Sequence, residues 1–161
     1  MAEENNNISL STKKTFTIDG DLKRTIQLDI SDMNIIVRID EVYPDIRKLA
    51  VDAQDRLAKS KVEKTEGDSD DSPLEDISTV LKDIDRQMRE KVDYIFASEV
   101  CDICYPNENM YDVVGGEWRF EHLLDVLTTL YANNIKAEWK KMQDRVKKHT
   151  AKYTSGRRNK K

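Results

Sequence analysis

Apolar and polar positions alternate in two stretches near the N-terminus, then recur at three- and four-residue steps along most of the remaining chain. Lys14-Thr-Phe-Thr-Ile-Asp-Gly20 sets Phe16 and Ile18 on one face. Arg24-Thr-Ile-Gln-Leu-Asp-Ile30 does the same for Ile26, Leu28 and Ile30, the period of half-buried strands. Asp19-Gly20 between them is a turn signal, because glycine accepts positive φ. A β-hairpin is predicted, and since a lone hairpin is marginal in water it must pack on something else.

After it the period changes. Ser31-Asp32 reads as a helix N-cap, followed by Ile35, Ile39, Val42, Ile46, Leu49, Ala53 and Leu57 on one helical face. Pro44 should kink that helix or restart it with Pro44 in the first turn. A rival parse makes Asn34 to Ile39 a third strand, because Ile-Ile-Val is β-branched; helix is the preferred reading. Lys64 to Asp71 is acidic, has no large apolar residue and reads as a mobile linker. Ser72-Pro-Leu-Glu75 then forms a capping box with proline in the first helical position. It opens a stripe of Leu74, Ile77, Leu81, Ile84, Met88, Val92 and Ile95. Cys101 to Glu117, with Pro106, Asn107 and Gly115-Gly116, reads as a connector. A last helix should start near Trp118 and run through Leu123, Leu127, Leu130, Tyr131, Ile135, Trp139, Met142 and Val146. Three amphipathic helices that cannot bury their stripes alone imply an α+β, mainly α fold: a small N-terminal hairpin packed on a bundle of about three helices. Residues 1–13 read as a disordered arm, 14–146 as one domain and 147–161 as a flexible basic tail.

Composition agrees with this picture. The chain has 161 residues, about the size of one domain, and only five glycines and three prolines, too few for the many turns of an all-β fold. No apolar run nears the roughly 18 residues of a membrane span, and the polar N-terminus has no signal-peptide segment. With two cysteines only, a reducing, cytoplasmic setting is expected. Charge alters the picture more. From Lys136 to Lys161 there are eleven Lys or Arg against Glu138 and Asp144, a net +9, while the whole chain is −4 and the rest therefore −13. Lys147, Lys148, Lys152, Arg157 and Arg158 make up most of the tail's charge. Such a block suits an acidic partner or nucleic acid, or is simply a solvated helix face. Tyr153 is the only aromatic beyond Trp139, so the stacking platforms of single-strand binders are missing.

Cys101-Asp-Ile-Cys104 is the one motif with a chemical reading. Its spacing supplies half of a tetrahedral zinc site, with His122 the nearest further ligand and His149 in the basic segment. No second Cys pair exists, and no strand precedes the motif as in thioredoxin-like redox sites; the plainer reading is two small buried residues at a helix end. Phosphate loops, Gly-x-Ser-x-Gly and His-Glu-x-x-His are absent, so neither an enzyme nor a cofactor is expected. Trp118 and Trp139 are read as core.

The order of elements resembles tail assembly chaperones of long-tailed phages infecting Gram-positive bacteria. Three stretches carry the resemblance: Leu28-Asp-Ile-Ser-Asp32 with Arg38 and Tyr43 on the following helix; Tyr94-Ile-Phe-Ala-Ser-Glu-Val-Cys-Asp-Ile-Cys104; and Val114-Gly-Gly116 leading to a helix and Lys152-Tyr-Thr154. Where relatives often carry Phe-Gly in the Cys-containing turn, this chain has Cys104-Tyr105-Pro106. The resemblance implies a protein of the host cytoplasm without catalytic residues, which binds the tape measure protein and helps deliver tail tube subunits. Some relatives also occur in a longer, frameshifted form. The expected docking surface is Leu130, Tyr131, Ile135, Trp139, Met142 and Val146, a stripe longer than one neighbouring helix covers. Packing at home or in a homo-oligomer is the competing use of that stripe. A structural virion component and a basic-tailed nucleic-acid binder are the competing functions.

Overall fold

A computed structural model describes the backbone of residues 6–66 and 73–158, with side chains for 6–60 and 76–151. Strands β1 (Lys14–Ile18) and β2 (Asp21–Leu28) form an antiparallel hairpin in which Phe16 pairs with Ile26 and Lys14 with Leu28. Asp19 (φ 52°) and Gly20 (φ 73°) turn it, both left-handed as a two-residue hairpin loop matched to strand twist requires. The register slips between Thr17 and Ile18, so β2 starts three residues before the Arg24 its alternation suggested. Ile26 and Leu28 point into the core, as their spacing predicts.

Helix α1 (Asn34–Glu66) is capped by Asp32, whose Oδ1 accepts the Asn34 N–H at 3.0 Å. Residues 34–39 are helical, which overturns the third-strand parse, and α1 neither stops nor restarts at Pro44. Proline inside a helix costs about 3 kcal/mol, partly because it lacks the N–H that would reach the carbonyl four residues back. Packing on both sides offsets this: Ile46 is fully buried, and the Tyr43 ring lies 6.1 Å from Phe120 while its hydroxyl donates to Glu121 at 2.8 Å. The helix also continues through residues 64–66, first read as linker; residues 67–71 of that linker lie outside the described residues, as do Met1–Asn5 of the arm and the side chains of the Ser72–Glu75 capping box. Residues 6–13 carry no helix or strand.

Helix α2 (Pro73–Phe96) opens on the proline expected in its first position and lies along α1, with Ile84, Met88, Val92 and Ile95 buried between them. It ends in a Schellman arrangement: Ser98 N–H bonds to Asp93 O (3.2 Å), Ala97 N–H to Tyr94 O (3.3 Å), and Ala97 sits at φ 49°. Arg38 closes the same end by donating from Nε to Ile95 O (2.7 Å) while its Nη2 pairs with Asp32 (2.6 Å).

The stretch 101–117, expected to be a plain connector, contains a one-turn helix and most of a second hairpin that the period analysis missed. Helix α3 (Cys101–Cys104) is a single turn; Asp93 Oδ1 accepts its first N–H groups, Val100 and Cys101, at 3.0 Å each. Strands β3 (Val113–Val114) and β4 (Glu117–Trp118) form a minimal hairpin around Gly115 and Gly116 at φ 64° and 86°. Arg89 holds this region from α2, with Nε on Asp85 (2.8 Å), Nη1 on Asp102 (2.9 Å) and Nη2 on the carbonyls of Tyr105 (2.8 Å) and Glu108. Arg24 of β2 caps the end of α3 through Ile103 O (3.0 Å) and Cys104 O (2.8 Å). Helix α4 (Arg119–Arg158) then closes the core with Phe120, Leu123, Leu124, Leu127 and Tyr131. The fold is α+β and mainly α, a hairpin against a helical bundle, as the patterning predicts.

Candidate functional site

Helix α4 has two halves with different surroundings. Its first half is fixed at the base by Phe120 N–H to Met110 O (3.1 Å) and Arg119 N–H to Asp112 O (2.7 Å). Its last ties to the body are Tyr131, whose ring lies 6.0 Å from Phe96, and Asn134, whose Nδ2 donates to Ile30 O at 3.3 Å. Beyond Ile135 the body ends. Residues 136–151 are sixteen consecutive exposed positions in unbroken helix, about 24 Å of free rod at 1.5 Å per residue. The backbone stays helical to Arg158, so the segment expected to leave the helix at 147 as a flexible tail continues it instead. A helix already nucleated by its packed half propagates at one hydrogen bond per added residue, and Lys and Arg favour helix. The side chains of Lys152, Arg157 and Arg158 lie outside the described residues.

The predicted docking stripe is therefore divided. Tyr131 is 2% exposed and belongs to the protein's own core, and Leu130 and Ile135 are half-buried at its edge. Trp139, Met142 and Val146 stand 57%, 49% and 58% exposed. Trp139 is thus not a core residue, contrary to its first reading; helical spacing alone did not reveal that the core stops one turn earlier. Trp118 does pack inward, stacked on Phe120 at 5.8 Å. Two shallow hollows flank the stripe. One is lined by Trp139, Met142, Gln143, Val146 and Lys147, the other by Met142, Arg145, Val146, His149 and Thr150. Among the described cations of this segment only Lys141 finds a carboxylate, Glu138 at 3.2 Å. Lys147 and Lys148 are exposed on the same rod.

The chemical candidates are arranged differently. Cys101 is fully buried with its Sγ near Arg89 O (3.8 Å); burial, and then the neighbouring Asp93 carboxylate, push its thiol far up from the ordinary value. Burial pushes Cys104 up to about 11. Both shifts oppose the thiolate that zinc binding or redox exchange requires. His122 is exposed and bonds through Nδ1 to Glu117 at 2.8 Å, and among the described residues no group of three or more His, Cys, Asp or Glu is arranged to hold a metal ion. The polar side chains that sequence reading missed are Arg24, Arg89, Asp85 and Asp93, together with the tie that Arg38 makes to Ile95 O. They fix backbone ends in the body, and no motif spacing marks them. Among the described residues no helix is long and apolar enough to cross a membrane. No protein-family model, curated protein or solved structure matches this chain.

Proposed function

We propose that this protein acts by binding other proteins rather than by catalysis, as a tail assembly chaperone that engages a tape measure protein through the free half of α4 and helps recruit tail tube subunits. The observation that supports the reading is the rod of residues 136–151 with Trp139, Met142 and Val146 about half exposed along it. Covering those side chains returns roughly 1 kcal/mol or more apiece, because a full large apolar burial is worth about 1.5–3 kcal/mol. An exposed tryptophan on a rigid helix is also the side-chain type that most often anchors an interface. The phage assignment itself draws on the three stretches that resemble that family, at Leu28–Asp32, Tyr94–Cys104 and Val114–Gly116.

The test is co-expression with a tape measure protein of a long-tailed phage infecting Gram-positive bacteria, followed by affinity capture. Capture should be lost with Trp139→Glu and Met142→Glu together, while the helical circular-dichroism signal stays unchanged, because neither side chain belongs to the core. Undiminished capture by the double variant would overturn the reading.

A further inference from the structure

The free half of α4 carries more than an apolar stripe: its spacing and its charges describe the partner. Ile135, Trp139, Met142 and Val146 are four, three and four residues apart, the alternation of a heptad seam. Such a seam is narrow, two positions per heptad, and it fits one partner helix; helices that lie in membrane surfaces carry a broader apolar face. At 100° per residue Lys136 and Gln143 lie directly beside the seam on one side, with Lys147 and Lys140 one position further round on the same side, and no carboxylate lies among them. The lining of the flanking hollows agrees, with Gln143 and Lys147 on that side and Arg145 with His149 on the other. On the Arg145 side Glu138 is engaged by Lys141. Residues 136–151 hold six Lys or Arg against Glu138 and Asp144, a net +4.

We infer that the occupant of this seam is a single acidic amphipathic helix, its apolar a and d positions against Ile135 to Val146 and its carboxylates along the Lys136–Lys140–Lys147 edge and opposite Arg145. This deepens the chaperone reading by stating the chemistry of the segment that docks, and it rests on that reading only for the site. A second copy of α4 is disfavoured as occupant, because it brings the same cationic edge against this one and like charges repel across a seam.

The test uses the full chain and two designed helical peptides of about three heptads with the same Leu seam, one flanked by Glu and one by Lys. Titration calorimetry should give the Glu-flanked peptide an affinity at least about tenfold higher than the Lys-flanked one, with the gap closing as salt rises from about 0.05 to 0.5 M. Trp139→Glu with Met142→Glu should abolish binding of both peptides. Lys136→Glu, Lys140→Glu and Lys147→Glu together should reverse the preference between them. Equal binding of the two peptides, or binding that survives Trp139→Glu and Met142→Glu, overturns the inference. So does a dimer in sedimentation that dissociates on Trp139→Glu, or seam-dependent capture by phosphatidylserine vesicles when neither peptide binds. The outcomes separate from those of the function test. Peptide selectivity without tape measure capture removes the chaperone reading and leaves the partner chemistry, whereas capture that is indifferent to the three lysines does the reverse.

Discussion

Replacing Arg89 with methionine should destabilise the protein by about 3 kcal/mol, and the figure follows from what its guanidinium leaves behind. The side chain is 13% exposed and touches two carboxylates and two backbone carbonyls. Burial works against its charge, yet Asp85 and Asp102 more than offset that and push its pKa up. Methionine keeps the apolar stem and deletes only the polar fork. Asp102 is 78% exposed, and water replaces its lost partner at almost no cost. Asp85 is 16% exposed and retains only the Met110 N–H at 2.7 Å, so a nearly bare carboxylate is stranded in the body. Breaking a buried pair this way costs about 3–5 kcal/mol; Asp85 keeps one partner and Asp102 is solvated, which places the sum at the low end. Urea denaturation should read that loss directly, and Tm should fall by about 10 °C. The cycle with Asp85→Asn should be non-additive by about 1–2 kcal/mol, since removing the carboxylate removes the stranded charge. Amide exchange at Met110 should quicken more than at Val92 in the core of α2. A loss below about 1 kcal/mol, with additive single variants, would refute the hub role assigned to Arg89.

Further outcomes are expected. The Arg38 guanidinium holds the Asp32 carboxyl below its ordinary 3.8, so the pair's stabilisation is complete above that value and is lost as pH falls through the lower folded value. Asp32→Asn should therefore flatten the acid limb of stability against pH below about pH 4, and an unchanged slope would count against the pairing. Ala97→Gly should stabilise by roughly 0.5–1 kcal/mol in chemical denaturation, because a non-glycine residue at φ 49° carries strain that exceeds the added chain entropy. Iodoacetamide at about pH 8 should modify Cys101 and Cys104 at least about a hundredfold more slowly in the native than in the unfolded protein. Added zinc should leave Tm unmoved, and a zinc-dependent rise would restore the Cys101–Cys104–His122 reading. Deleting residues 136–161 should change Tm by no more than about 2 °C in calorimetry, since no side chain of 136–151 is buried.

The parts of the fold that could be read from the sequence are those where one period dominates a long window. The hairpin followed from the alternation of Phe16, Ile18, Ile26 and Leu28 around Asp19-Gly20, and α2 from Pro73 and its stripe. Elements of two to four residues are too short to show a period, and so α3 and the β3–β4 hairpin hid inside the connector although Gly115-Gly116 marked the turn. Pro44 misled for another reason. Its local cost is real, but the packing of Tyr43, Ile46 and Phe120 is non-local and outweighs it. The apolar stripe of α4 was half legible: a repeat of apolar residues gives its face, whereas where the body ends depends on the height at which Tyr131 and Asn134 meet Phe96 and Ile30.

That height has an energetic consequence for binding. Detached from the body, the sixteen residues 136–151 would be near the length at which helices are marginal in water, and a partner would first have to order them at roughly 1 kcal/mol or more per residue. Attached, they inherit a nucleus from the buried turns at Phe120 to Tyr131, and each further residue adds a hydrogen bond without a new initiation penalty. The body is itself tied to the base of α4 through the Met110 and Asp112 carbonyls; from α2, Asp85 holds the Met110 N–H and Arg89 holds the preceding loop at Tyr105 and Glu108. The core thus acts on the seam by fixing its conformation before any partner arrives, so that most of the modest gain from covering Trp139, Met142 and Val146 remains as affinity. It follows that core variants such as Arg89→Met should weaken partner capture without touching a single seam residue, to the extent that they release the base of the helix.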